Sequence, residues 1–271
     1  MKKYHIVSYI LTMILFVGCE EIIKIDLEGT DARLVIEGKI TDGPGPHTVR
    51  ISRSTDYFDP EEYPMVSGAL VVISDDTGLR DTLQEVAAGI YQTTFLTGET
   101  GRNYTLETIV EGEQYIGTAT MQDRIEIDSI ELEYYPATPY YEEGYWLHCH
   151  FTDPAGEGNY YRTKVFKNGT TDKNLYIIDD KFIDGNPVDL FVWGDFYIPN
   201  DTAWFELWTM DEYVYDYFYT LANLLYSGGD GSYATPANPN TNLSDGALGY
   251  FGAFTIARDT IIVPDYPEQS R

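Results

Sequence analysis

Cysteine is almost absent: the 271 residues hold two, Cys19 and Cys149. At most one disulfide can form, so stability must come from a packed core rather than a covalent framework. Cations are also scarce. Seventeen lysines and arginines face 44 aspartates and glutamates, for a formal net charge of −27. That balance excludes nucleic acid and anionic lipid headgroups as partners, because both need a basic face. Only four histidines are present, which leaves little imidazole for metal or general-base chemistry. No G-x-S-x-G elbow, phosphate loop or dinucleotide fingerprint is found. Carboxylate pairs are so common that none can be singled out as a glycosidase-like dyad.

What is present begins at the N-terminus. Lys2 and Lys3 precede an apolar stretch from Ile6 to Val17, followed by Gly18-Cys19-Glu20-Glu21. A basic start, a short apolar core and a small residue before the cut make a secretory signal. The stretch is too short for a permanent membrane helix. The cysteine after Gly18 is the feature of bacterial lipoproteins, in which a diacylglycerol is attached to that thiol and the chain is cut before it. Phe16-Val17-Gly18 is a relaxed form of the usual box, and an ordinary cut nearby would leave a free thiol instead. Residues 1–18 are thus expected to be a signal peptide and residues 19–32 a tether anchored through Cys19. Several acyl chains on one cysteine give stable anchoring. Glu20-Glu21 resembles the acidic export tag of surface lipoproteins in the Bacteroidota, which implies an outer-membrane, surface-exposed address. A plain solvated linker is the competing account.

Aromatics make up 15% of the chain, with 24 tyrosines against 12 phenylalanines. Tyrosine suits half-buried strand positions and contact surfaces. From Arg33 to Met121 the pattern is short strands split by turn signals such as Asp42-Gly43-Pro44-Gly45-Pro46 and Glu111-Gly112. This predicts a β-sandwich over 33–123. Residues 124–264 predict a second antiparallel β region, and 265–271 a polar tail. One helix is expected at about 210–226, with Thr209 as N-cap, Glu212 closing a capping box and Gly228-Gly229 ending it. Its apolar stripe is Tyr213, Tyr217, Leu221, Leu224 and Leu225, a packing face against the sheet.

Two resemblances follow from these residues. Ser67-Gly68-Ala69-Leu70-Val71, Gly78, Gly89-Ile90-Tyr91 and Gly101 to Leu106 resemble a transthyretin-like, carboxypeptidase-regulatory-like module, which implies an Ig-like sandwich. More broadly, Cys19-Glu20, the run Leu34 to Phe58, the Val66–Val71 strand and Asn238 to Phe254 resemble the Bacteroidota lipoprotein family of domain of unknown function 4249. That family carries no catalytic residues to transfer. By analogy the resemblance implies a place beside TonB-dependent outer-membrane transporters.

Candidate sites are few. His148 and His150 flank Cys149 on a strand, so they share a face and are candidate zinc or copper ligands, against two histidines merely decorating that face. Acidic loops at Asp75-Asp76, Asp153 to Asn159 and Asp179-Asp180 are candidate calcium holders, although none has EF-hand spacing. No cofactor is otherwise implied. Trp146, Trp193, Tyr197 and Trp204 are candidate contact residues if exposed, and core if buried. Thr82, Ser129, Thr202 and Thr260 lie in Asp-Ser/Thr-aliphatic triplets that resemble O-glycosylation sites of exported Bacteroidota proteins. The expected function is a non-catalytic binding or accessory module held at the outer membrane, working with a transporter in nutrient uptake. The alternatives are a surface adhesion or envelope-structural protein and, more remotely, a glycan- or peptide-active enzyme.

Overall fold

Alternation of apolar and polar residues writes most of the strands. In β7 (Asn103–Val110), Tyr104, Leu106, Thr108 and Val110 are buried and their neighbours are not. The computed structural model describes residues 32–55, 63–140, 142–226 and 237–267, with the side chains of 193–195 not described. The expected signal, Cys19, the tether and Gly228-Gly229 lie outside these residues.

The first half of the chain gives a two-layer sandwich. One layer holds β5 (Gln84–Ala87), β6 (Ile90–Gln92), β2 (Thr48–Arg53) and β1 (Leu34–Thr41). The other holds β4 (Arg80–Thr82), β3 (Leu70–Asp75), β7 and β8 (Glu113–Thr120). Ile36, Ile40, Val49 and Ile51 from the first layer meet Ile73, Leu106 and Ala119 from the second. The β7–β8 hairpin turns on Glu111 and Gly112, whose φ values of 53° and 92° are those a two-residue turn requires. β3 starts later than Val66, and Gly68, at φ 77°, lies in the bend before it.

The second half repeats the plan. β9 (Ile127–Tyr135), β10 (Gly144–Thr152) and β14 (Pro187–Tyr197) form one layer. β12 (Thr170–Thr171), β13 (Tyr176–Asp179), β11 (Tyr160–Lys167) and β15 (Thr202–Met210) belong to the other. Leu147, Cys149 and Phe151 pack on Tyr161, Phe205 and Leu207.

The last strand, β16 (Leu248–Ile262), joins the two sandwiches. Expected wholly within the second region, it places Leu248–Phe254 parallel to β1 and Thr255–Ile262 antiparallel to β15. Phe251 and Ala253 enter the first core, while Ala257 enters the second. The described residues from Ala32 onward form one compact unit as a result.

The helix α1 (Glu212–Tyr226) covers the opposite face of this shared sheet. Val214, Tyr217 and Phe218 pack against Trp208, Phe254 and Ile256. Two helix expectations are corrected. The N-cap is Asp211, whose Oδ1 accepts the Val214 N–H at 3.0 Å, because β15 continues through Met210 and absorbs Thr209. The buried stripe starts at Val214, and Tyr213 and Leu225 are 68% and 61% exposed.

Candidate functional site: a cationic and aromatic sheet face

Four of the chain's few cations converge on the outer face of the shared sheet, part of which α1 covers with Val214, Tyr217 and Phe218. Strand register sets Arg162 beside Trp208, Lys164 beside Glu206 and Phe166 beside Trp204. It also sets Glu206 beside Arg258, and Lys39 beside Gly252. Side chains on a strand alternate, so these residues share the face turned away from Phe205 and Leu207.

Aromatic rings fix the cations in place. Lys164 Nζ lies 3.9 Å from the Trp208 ring centroid, and Lys39 Nζ lies 5.6 Å from it. The Arg162 guanidinium sits 4.4 Å over Phe218, and that of Arg258 is 5.8 Å from Trp204. Trp204 stacks on Phe166 at 4.8 Å.

The local carboxylate is already spent. Glu206 is buried, and its Oε2 accepts the Trp208 indole N–H at 2.7 Å while its Oε1 accepts Arg258 Nε at 2.9 Å. Lys39, Arg162 and Lys164 form no ion pair with any described carboxylate. Arg162 Nε and Trp204 Nε1 are buried donors without an acceptor among the described residues. Burial, then the charges of Arg162 and Lys39, pushes the Lys164 amine down to about 8. Burial also lowers Arg162, and it pushes Tyr217 up to about 12, with Glu37 adding to the rise. The face therefore offers crowded positive charge and unmet donors, in a chain whose surface is otherwise acidic.

The other outer face, on β9, β10 and β14, carries Trp146, His148 and His150. Trp146 is half-buried against Phe191 at 5.2 Å and Phe196 at 4.4 Å. His148 and His150 do share a face, with ring centroids 6.3 Å apart. They do not converge on a metal position. His148 Nδ1 is 2.8 Å from Asp189 and its Nε2 is 3.1 Å from Glu133, so both nitrogens are engaged by separate carboxylates. His150 lies 3.7 Å from Glu131 and 3.9 Å from Asp189. Cys149 points into the core, where burial pushes its thiol up to about 12 and makes it inert.

Among the described residues, the carboxylates that approach one another closely are Asp153, Asp180 and Asp184, with oxygens within 4.8 Å. Two of the three are buried, and such a set has the chemistry to hold a hard cation. Each carboxylate also closes the two loops by accepting backbone N–H groups, from Gly185, from Gly158 and Asn159, and from Gly156 respectively.

The remaining sequence candidates separate cleanly. Trp204 belongs to the cationic face. Tyr197 is 4% exposed, a core residue that forms the floor of a cleft of about 620 Å³ with Val165 and Val192. Of the two readings open for Tyr197, burial selects core over contact. The Trp193 side chain lies outside the described residues. Thr82, Thr202 and Thr260 are exposed, whereas Ser129 is half-buried. The acids before two of them serve the fold. Asp81 is fully buried and accepts the N–H groups of Thr94, Phe95 and Leu96, which presents Phe95 (61% exposed) at the rim of a cleft of about 560 Å³. Asp201 accepts the Ile198 N–H and pairs with Lys167. Sequence reasoning missed Lys39, Arg162, Lys164 and Arg258, because only strand register brings these distant positions together. Their one legible signal was alternation in Arg162-Thr163-Lys164, with the buried Thr163 between two cations.

Comparison with known families decides one point. A family model matches residues 20–260. The chain belongs to DUF4249, a domain of unknown function. No curated protein matches this DUF4249 chain. Among solved structures, it is similar to the two-fibronectin type III domain segment of chicken tenascin. The match is at 12% identity and a TM-score of 0.22, over 68% of this chain and 93% of that one.

Proposed function

We propose that this DUF4249 chain is a lipid-anchored, non-catalytic binding protein of the bacterial outer membrane. Cys19 holds it to the bilayer, and its sandwiches face outward beside a TonB-dependent transporter that it serves in uptake. The observation that carries a binding role is the outer sheet face, where Lys39, Lys164 and Arg258 are held over indole rings on rigid strands. A sheet fixes such groups more precisely than a loop does, which favours recognition. Against a catalytic reading, the one described cysteine is a core thiol, and both nitrogens of His148 are held by Asp189 and Glu133.

The test is metabolic labelling with an alkyne fatty acid in the native host, followed by affinity recovery from detergent-solubilised membranes. The expected result is label on the wild type, none on Cys19→Ser, and co-recovery of a β-barrel transporter. An unlabelled, soluble wild-type product overturns the anchor. A labelled protein recovered without any barrel favours the adhesion or envelope-structural alternative instead.

A further inference from the structure

We propose that the face formed by Lys39, Lys164, Arg258 and Trp204, beside the part that α1 covers, binds an acidic saccharide, with carboxylates of uronate type meeting the cations. The inference deepens the binding role above and rests on it. Three observations point to this ligand chemistry. The cations outnumber their counter-charge: Glu206 is bonded to Trp208 and Arg258 and offsets Lys164 only in part, while Lys39, Arg162 and Lys164 form no close ion pair with any described carboxylate. In a chain of 44 acids and 17 bases, two lysines without a close ion pair over the one Trp208 ring mark a place that an external anion completes.

The unmet hydrogen-bonding groups are all donors. Arg162 Nε and Trp204 Nε1 are closed off from solvent, so the groups left for a ligand are the Lys39 and Lys164 ammoniums, which call for acceptor oxygens. Finally, the charges lie across a broad sheet face. Lys164 on β11 and Arg258 on β16 flank β15, so their strands are about 10 Å apart at ordinary strand spacing. An extended chain with repeated anionic groups reaches both positions, whereas a single small anion reaches one. Saccharide is favoured over acidic peptide because a pyranose ring adds a rigid C–H face that matches half-buried Trp204 and Phe166. The depressed Lys164 amine agrees with this picture, since a bound carboxylate would raise it back toward the ordinary lysine value.

The test is titration of the full-length protein in detergent with oligogalacturonate, followed by tryptophan fluorescence and calorimetry, at low and at 0.5 M salt. Maltohexaose and poly-glutamate serve as the neutral and peptide arms. The expected result is saturable binding of oligogalacturonate that salt abolishes, with no binding of maltohexaose and weaker binding of poly-glutamate. Lys39→Gln/Lys164→Gln should weaken oligogalacturonate binding by about tenfold or more, and Lys164→Arg should retain it. Thermal melts of each variant confirm folding. No binding by wild type, equal binding of the neutral sugar, equal or tighter binding of poly-glutamate, or an undiminished double variant overturns the proposal. Failure here leaves the fatty-acid labelling and the barrel co-recovery unaffected, so it is distinguishable from failure of the broader function.

Discussion

Lys164 shows how a single residue carries the electrostatics of the face. It stands among Arg162, Lys39 and Arg258 and is partly buried over Trp208, so its protonated form is disfavoured in the fold. A folded-state value of about 8, below the ordinary 10.5, means that the native state gives up its proton before the unfolded state does. Folding therefore carries a penalty below pH 8, and the penalty is relieved as pH rises from about 8 toward the ordinary lysine value. Reductive ¹³C-methylation followed by NMR should show one dimethyl-lysine resonance titrating near 8, and it should be missing in Lys164→Gln.

Asp81 titrates in the opposite sense. Burial alone would raise it, yet the bonds from Phe95, Thr94 and Leu96 outweigh burial and hold it below the ordinary carboxylate range. Its contribution is present at neutral pH and lost as pH falls below the ordinary aspartate value and through its own. Asp81→Ala leaves three backbone N–H groups without their acceptor and should cost about 3 kcal/mol in urea denaturation at pH 7. The deficit should shrink toward pH 3.

At the scale of elements, the two decisive features are a strand and a cap. Gly249 sits at φ 94° where β16 meets β1, and a Cβ there would run into the Ile36 carbonyl oxygen. Gly249→Ala should break the parallel pairing and destabilise the fold by roughly 3 kcal/mol or more, read as a lowered denaturation midpoint. Asp211 works in two directions. Oδ1 caps α1 at Val214, and Oδ2 accepts the Thr120 N–H of β8 at 2.7 Å. Asp211→Ala should therefore cost more than an ordinary cap, about 2 kcal/mol, with Asp211→Asn between it and wild type.

Much of this was legible at the element scale. Leu34–Thr41 and Tyr160–Lys167 alternate strictly enough to be read as strands, and Thr202–Met210 is legible as a short, mostly apolar and aromatic run. The short strands β4, β5 and β13 were not legible, since three or four residues carry no period and exist only because longer neighbours pair with them. The cap was misplaced by two residues because Thr209-x-x-Glu212 satisfies the capping-box pattern, while β15 pairing through Met210 outcompetes it.

Across the whole molecule, β16 couples the halves. Its first part closes the first sandwich with Phe251 and Ala253, and its second part lines the other core with Ala257. A fragment of residues 33–123 lacks that closure and exposes Ile36 and Leu106, which pack in the core that Phe251 completes. It should fail to fold alone, shown by poor dispersion in its amide NMR spectrum, while residues 32–271 should unfold in one transition. Two resolved transitions, or a folded fragment, would contradict the coupling.

Sequence by itself determined the class of the protein: an acidic, tyrosine-rich β chain without a covalent framework, its strands set by alternation and the β7–β8 hairpin by Glu111-Gly112. Those signals are local, so each can be read within a few residues. Tertiary structure alone decided the cationic face and the burial of Tyr197. Lys39, Arg162, Lys164 and Arg258 become neighbours only through the register of β1, β11, β15 and β16, and register depends on long-range pairing that no short stretch of chain encodes.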